Sequence, residues 1–277
     1  MTKKRLFLIG IVLVFITVNA YLFLTAPEPL TLENNQEKYV YSVNDGFEIL
    51  AKLNDNYRRI YTKRIVGDGS KANLKFDENW QNHTVEAGPL PALFLRATSA
   101  NLEKSPLPLG LYLGSDYPIA ESNLLTGVQG QKFEEIKQDK QPRFFYDEDT
   151  QRYIAMFPDF AAADACVTCH NEHKASPKTD WKLNDIMGAT TWSYPRDSLT
   201  AGELLEWVAV YNESAQKSYA TYLEKTKGFI TAQQPEIGQK WPVEGTFLPD
   251  VKTFSDEVLK DASFGLVQGI VKLDGTK

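Results

Sequence analysis

The sequence predicts an α+β fold, and three observations carry that expectation. Four short strand-like runs, Leu109–Leu113, Arg143–Tyr146, Tyr153–Phe157 and Met187–Tyr194, sit together in the middle of the chain. The last alternates and is rich in Thr, Trp and Tyr, as a half-buried strand is. Helical patterns stand before and after this block. Strands grouped between helices point to an antiparallel sheet with helices packed beside it. With 277 residues and 43% of them apolar, the chain can bury a real core in one large domain or two small ones. The net charge of −6 argues against a nucleic-acid partner, which demands a basic surface. No internal repeat or low-complexity tract interrupts the reading.

From the N-terminus, Lys3, Lys4 and Arg5 form a basic flank before an apolar run from Leu6 to Leu24. That run just reaches the roughly 20 residues a bilayer-spanning helix needs. The basic flank stays in the cytoplasm and places everything after about Thr25 on the outer side. Residues 1–26 are therefore expected to be a transmembrane signal anchor. The competing reading is cleavage after Val18-Asn19-Ala20, but the run stays apolar past that weak site. A single anchor in the cytoplasmic membrane, with the rest in the periplasm or another extracytoplasmic space, follows.

Residues 27–66 read as a membrane-proximal helix, entered through Ala26-Pro27-Glu28-Pro29. Val40, Val43, Phe47, Leu50, Asn54, Tyr57 and Tyr61 recur at alternating spacings of three and four, a seam with one polar interruption. Such a seam supports a homodimer, and it equally fits an amphipathic helix lying on its own domain. Gly67 is the expected helix stop. Between the prolines at 89, 91, 106 and 108, Ala92 to Lys104 reads as a short helix. The sheet domain is bounded at 67–198. Residues 199–277 form a helical C-terminal extension, with helices over Leu199–Ala232 and Asp250–Val271 joined by an irregular stretch holding Pro235, Trp241, Pro242 and Pro249.

The chemistry lies in Cys166-Val167-Thr168-Cys169-His170, which holds both cysteines of the chain. It is the C-x-x-C-H pattern of covalent haem attachment. Two thiols one helical turn apart can add across the two vinyl groups of one haem. The following His170 then presents its imidazole to the iron as proximal ligand. Two other readings of these residues stand beside it. A C-x-x-C redox disulfide would sit at a helix start within a βαβ unit, and no such unit is visible. A zinc site could use Cys166, Cys169, His170 and His173, although adjacent Cys169 and His170 would strain a tetrahedron. The haem reading makes the chain a mono-haem c-type cytochrome, with one covalently bound haem c and its iron.

The run "CVTCHNEHKASPKTDWKLNDIMGATTWSYP" resembles the haem-binding end of the Tll0287-like family. The upstream "NDNYRRIYTKRIVG", "GPLPALFLR" and "LGLYLGSDYPI" are similar to that family's helical and proline-rich segments. The resemblance covers about Asn44 to Pro195. It implies a PAS-like antiparallel sheet domain carrying c-type haem, commonly held outside the cytoplasm by a helix and sometimes joined to chemoreceptor, kinase or cyclase domains. Lys174 stands where the family pattern has proline. The resemblance also implies a distal iron ligand, Cys or Met, from the N-terminal helix. Between Leu30 and Asn82 there is no Cys, Met or His, so a vacant or weak sixth position is expected.

Other candidates for that position are His83, His173 and Met156. His83 lies in "QNHTVEAGPLP", a loop that could cover the haem, although a lone histidine in a polar loop is usually solvated. His173 is too close to His170 in sequence to reach the far face, and is expected to support the site from beside it. Met156, among large apolar residues, fits core packing better than ligation. Phe144, Phe145, Tyr146, Tyr153, Phe157 and Phe160 are candidates to wall the haem. Arg143, Arg152, Lys174 and Lys178 could pair with its propionates. The expected role is a redox- or gas-responsive haem sensor. An electron-transfer cytochrome serving a membrane redox complex is the alternative, and a redox or signalling protein is the implied partner. A haem enzyme such as a peroxidase is least supported, because no distal acid–base set accompanies the motif.

Overall fold

The structure, a computed structural model, describes residues 4–5, 12–19, 21, 40–230, 234–243 and 246–260. Two compact units divide the chain, residues 1–39 and 40–277. In the first, residues 12–19 are helical. Most of the expected anchor lies outside the described residues, among which no helix is long and apolar enough to cross a membrane.

The second unit begins with β1 (Val40–Ser42) and α1 (Val43–Ile60). Ser42 caps the helix by accepting from the Asn44 amide at 3.2 Å. The helix does not stop at Gly67. It passes into a π-helical stretch, Tyr61–Gly67, and a last α turn, Asp68–Lys71. The stop comes at Asn73, whose φ of 67° turns the chain out while the Leu74 amide donates back to Gly69 O. A glycine with helical φ and ψ costs a helix only some propensity, so Gly67 is carried by the packing around it.

Short strands β2 (Phe76–Asp77) and β3 (Gly88–Pro89) pair in parallel and lead to α2 (Pro91–Leu102), with Pro91 in its first turn. Then come β4 (Gly110–Gly114), α3 (Gly127–Asp139), β5 (Arg143–Asp147), β6 (Arg152–Phe160), α4 (Asp164–Glu172) and β7 (Ile186–Tyr194). The sheet order is β4-β7-β6-β5, antiparallel throughout. Gly188 lets β7 approach β4 closely, since a Cβ there would meet Gly114 O at 2.4 Å. The mixed α+β class with a central antiparallel sheet is as the patterning predicts, and all four expected strands are present. The helix α3 has no counterpart among the expected elements.

After β7, β8 (Ser198–Thr200) pairs with β1 and feeds α5 (Ala201–Thr226). Thr200 and Glu203 close a reciprocal capping box, with the Glu203 amide donating to Thr200 Oγ1 at 3.2 Å and the Thr200 amide to Glu203 Oε2 at 2.8 Å. Parallel strands β9 (Glu236–Gly238) and β10 (Phe247–Pro249) precede a last helix, α6, described over residues 251–260.

Strand alternation divides the core. Ala155, Trp192 and Tyr194 face a large cluster built with α1, α2 and α5. Ile154, Met156 and Ala189 face a smaller one beneath Phe133 and Ile136 of α3. Met156 is wholly buried there, as core packing on the sheet face away from α1. The α1 seam is covered within the chain: Val43, Phe47, Leu50, Asn54, Tyr57 and Tyr61 are buried, and Val40 alone is exposed. These buried residues are not a surface on which a second copy can pack. The helices α5 and α6 pack beside the sheet. Trp207, Tyr211, Tyr219 and Phe254 belong to the same cluster as Phe47 and Trp192.

Phe254 sits among Tyr57, Tyr61, Phe94 and Tyr219, with ring centroids 4.3 to 6.4 Å away. Phe254→Ala is expected to cost about 3–5 kcal/mol of stability, read as a lower urea midpoint for the whole unit. A loss below about 1 kcal/mol, well under the usual cost of truncating a buried Phe, would mean that α6 is not part of this core.

Candidate functional site

The strand β6 loses its register against β7 between Asp159 and Phe160, and there the chain leaves the sheet. The excursion is pinched at its base: the Ala161 amide donates to Asp185 O at 2.8 Å and the Asn184 amide to Ala161 O at 3.0 Å. Asn184 takes a φ of 68°, a conformation asparagine tolerates well. Inside this loop stands α4, with Ala163 at its N-cap and no side-chain cap.

This helix buries none of its residues. Cys166, Cys169 and His170 stand at i, i+3 and i+4, which puts both thiols and the imidazole on one face. Cys166 and His170 are half-buried, Cys169 is exposed, and the thiols are free. Desolvation, followed by the charges of Glu78, Cys166 and Glu172, pushes the Cys169 thiol up. Disulfide-exchange cysteines have the opposite setting, a lowered thiol beside positive charge. Among the described residues no three His, Cys, Asp or Glu side chains are grouped to hold a metal ion, so the four zinc-type candidates do not converge.

Burial, then neighbouring His173, hold the His170 imidazole below its ordinary range, with Asp159 acting in the opposite sense. Its Nδ1 is buried without a hydrogen-bond partner. A neutral imidazole has one ring nitrogen with a free lone pair, as a metal ligand needs. Trp181 lies edge-on to it, with centroids 6.4 Å apart. Asn171 fixes Trp181 from both sides: its Nδ2 donates to Trp181 O at 3.0 Å and its Oδ1 accepts from the Trp181 amide at 2.8 Å.

His173 caps the end of α4 and is tied into the loop. Its Nδ1 accepts from the Ala175 amide at 3.1 Å, and its Nε2 is 2.9 Å from Glu78 Oε2. The accepting Nδ1 puts the ring proton on Nε2, which donates to the carboxylate. The structure thus brings His173 next to His170 and engages both of its nitrogens elsewhere. His83 lies exposed in the turn over residues 81–84, where neighbouring Asn82 accepts from Lys225 of α5 at 2.8 Å.

The four cations expected to serve an anionic ligand are differently placed. Arg143 pairs with Glu135 and Asp139 of α3, at 2.9 and 2.7 Å. Arg152 donates to Ser193 Oγ at 3.0 Å and to Pro108 O. Lys178 pairs with Asp180 and lies 4.8 Å over the Trp181 ring, and Lys174 is exposed.

A cation missing from the sequence reading faces the site instead. Arg58 of α1 reaches across to β6, its Nη2 2.9 Å from both oxygens of Asp159, with Nη1 3.4 Å from Thr190 Oγ1. Asp159 is the carboxylate that acts on His170. Alternation along β6 puts Phe157 on the same face as Asp159, half-buried and edge-to-face with Phe144 at 5.7 Å. Tyr146 and Phe160 are exposed, and Phe145 packs towards α3. The signal for Arg58 was present in the sequence as an Asp55/Arg58 pair off the apolar seam of α1. Glu78, Asn171 and Trp181 make contacts that no local pattern announces.

A family model described as Tll0287-like matches residues 48–195, more than half of the chain. The match runs from α1 through β7 and contains the whole excursion. No curated protein and no solved structure matches.

Asn171→Ala removes both bonds to Trp181 and is expected to cost about 1–3 kcal/mol. Hydrogen exchange at the Trp181 amide should accelerate, with β6 and β7 unaffected. Unchanged protection at Trp181 would show that the loop is held by other contacts.

Proposed function

We propose, since the chain belongs to the Tll0287-like family, that it is a membrane-anchored mono-haem c-type cytochrome whose haem domain lies outside the cytoplasm. The observation that carries this reading is the one face of α4 on which two free thiols and a neutral imidazole stand one helical turn apart. Thioether bonds from Cys166 and Cys169 would fix the haem to the helix, and His170 would ligate its iron. The raised thiol of Cys169 and the ungrouped donors speak against a redox disulfide and a zinc site. Phe144 and Phe157 supply apolar cover, Trp181 flanks the proximal imidazole, and Arg58 offers fixed positive charge. Bound haem would supply one-electron chemistry and, with an open coordination position, affinity for a diatomic gas.

The finer reading is a redox- or gas-responsive sensor built on a PAS-like sheet domain. It is supported by the antiparallel β4-β7-β6-β5 sheet and by α1, which turns Asp55 and Arg58 towards Asp159 and has no Cys, Met or His. One observation favours an electron carrier instead: Cys169 is exposed and α4 buries none of its residues fully, which would leave a haem edge near the surface for exchange with a membrane redox complex. In either role the partner is a redox or signalling protein.

Mass spectrometry of the purified full-length protein should find the added mass of one haem, and Cys166→Ala with Cys169→Ala should abolish covalent retention. Free thiols and no haem in the wild type would overturn the reading.

Coordination separates the two roles. An open sixth position predicts high-spin or mixed-spin ferrous iron and rapid CO binding without mutation. A wild type that is low-spin in both redox states and inert to CO would favour the electron carrier.

A further inference from the structure

Trp181 is only 5% exposed, and its indole Nε1 is buried with no hydrogen-bond partner among the described residues. An indole N–H can only donate, and a buried donor without an acceptor is costly. The groups around it do not supply one. Asn171 spends both atoms of its side-chain amide on the Trp181 backbone. Tyr117 and His170 meet the ring edge-to-face, with centroids 6.3 and 6.4 Å away. His170 cannot serve once one of its nitrogens holds iron, because the other then carries the proton. The two rings would present only donors to each other. Lys178 stands over the same indole, its Nζ 4.8 Å from the centroid. Its partner Asp180 is 79% exposed, so solvent screens that pair and the positive charge is not cancelled at the ring. A fixed donor and a cation on one ring favour an anionic acceptor.

We propose that Trp181 is a haem-binding residue, its Nε1–H donating to a propionate carboxylate of the haem carried by Cys166, Cys169 and His170. This rests on the haem reading above. A haem is apolar apart from its iron centre and its two carboxylates, so a carboxylate is the acceptor it offers to a donor beside His170. Such a bond is charge-assisted and stronger than one between neutral groups. Asn171 gives it direction. It follows His170 on α4 and holds the Trp181 backbone by two bonds, so the donor and the iron ligand are parts of one rigid piece. The indole thus takes the role that Arg143 and Arg152 do not fill, engaged as they are by α3 and by Ser193. A donor on the carboxylate draws negative charge away from the iron, which favours the ferrous state.

The test is resonance Raman spectroscopy of the full-length protein in detergent, read at the propionate bending band, with haem content measured by mass on the same samples. Trp181→Phe keeps an aromatic ring and removes the N–H. The band should move to the position of a propionate bonded only to water, and the midpoint potential should fall, while covalent haem content and spin state hold. Trp181→His, which keeps a ring N–H, should recover part of both shifts. Ultraviolet Raman spectra decide the matter if Trp181→Phe does not retain haem. One of the five tryptophans should gain a hydrogen bond in the haem-loaded wild type relative to the haem-free chain with Cys166→Ala and Cys169→Ala. A haem-loaded Trp181→Phe protein with the wild-type band and potential, or tryptophan bands that haem does not alter, overturns the proposal and leaves the haem reading standing. A wild type without haem overturns both.

Discussion

Backbone pairing between β6 and β7 holds the two ends of the α4 loop side by side, and the rest of the site depends on that pairing. Tyr153 to Asp159 match Tyr194 to Gly188 position by position, and the slip at Phe160 marks where pairing ends. A long ladder of satisfied hydrogen bonds is stiff, and a loop closed at its base inherits that stiffness. Ala161 and Asn184 close it. The loop itself has few means of ordering its own middle: α4 has no side-chain cap and no buried residue. Its orientation comes from its flanks, through Asn171 on Trp181 and His173 on Glu78.

How much of this was legible in the sequence differs by length scale. Strands were readable because alternation is a local property, and β7, with its run of Thr, Trp and Tyr, was the plainest. The cysteine–histidine motif was readable because its geometry is that of a single helical turn. The helix α3 was not, because Gly127 and Gly130 weaken its propensity and only Phe133 and Ile136 are buried. Gly67 reads as a stop by propensity, yet the chain stays helical there because Tyr61 and Ile65, within the π-helical stretch, are wholly buried. The seam along α1 is a true packing stripe, but periodicity does not say what covers it, and α5 and α6 do so. Arg58, Asp159 and Glu78 belong to the site only through contacts with residues far off in the chain.

Charge on the two sides of the sheet is organised differently. Towards α3, Lys132, Lys137 and Arg143 pair with Glu134 and Glu135, carboxylates that are well exposed, and pairs open to solvent on one side contribute little to stability. Towards α1 the Arg58–Asp159 pair is four-fifths shielded, with side chains 21% and 20% exposed. Its members cannot be removed singly without leaving a partly desolvated charge, which is costly. Among the described residues this best-shielded ion pair joins α1 to the strand leading into the α4 loop, which ties local electrostatics to domain integrity.

The hydrogen bonds from Tyr57 to Ser255 and from Arg64 to Glu257 join positions nearly two hundred residues apart. Arg64, in the π-helical stretch, also lies 3.8 Å over Trp241. The core of this unit is therefore completed by α6, which is made well after the α4 loop. A chain emerging N-terminus first exposes residues 166–170 while Tyr57, Tyr61 and Phe94 still await Phe254. The two thiols thus have a period in which they stand on an open, unfinished scaffold, before α6 arrives and closes the interior behind them.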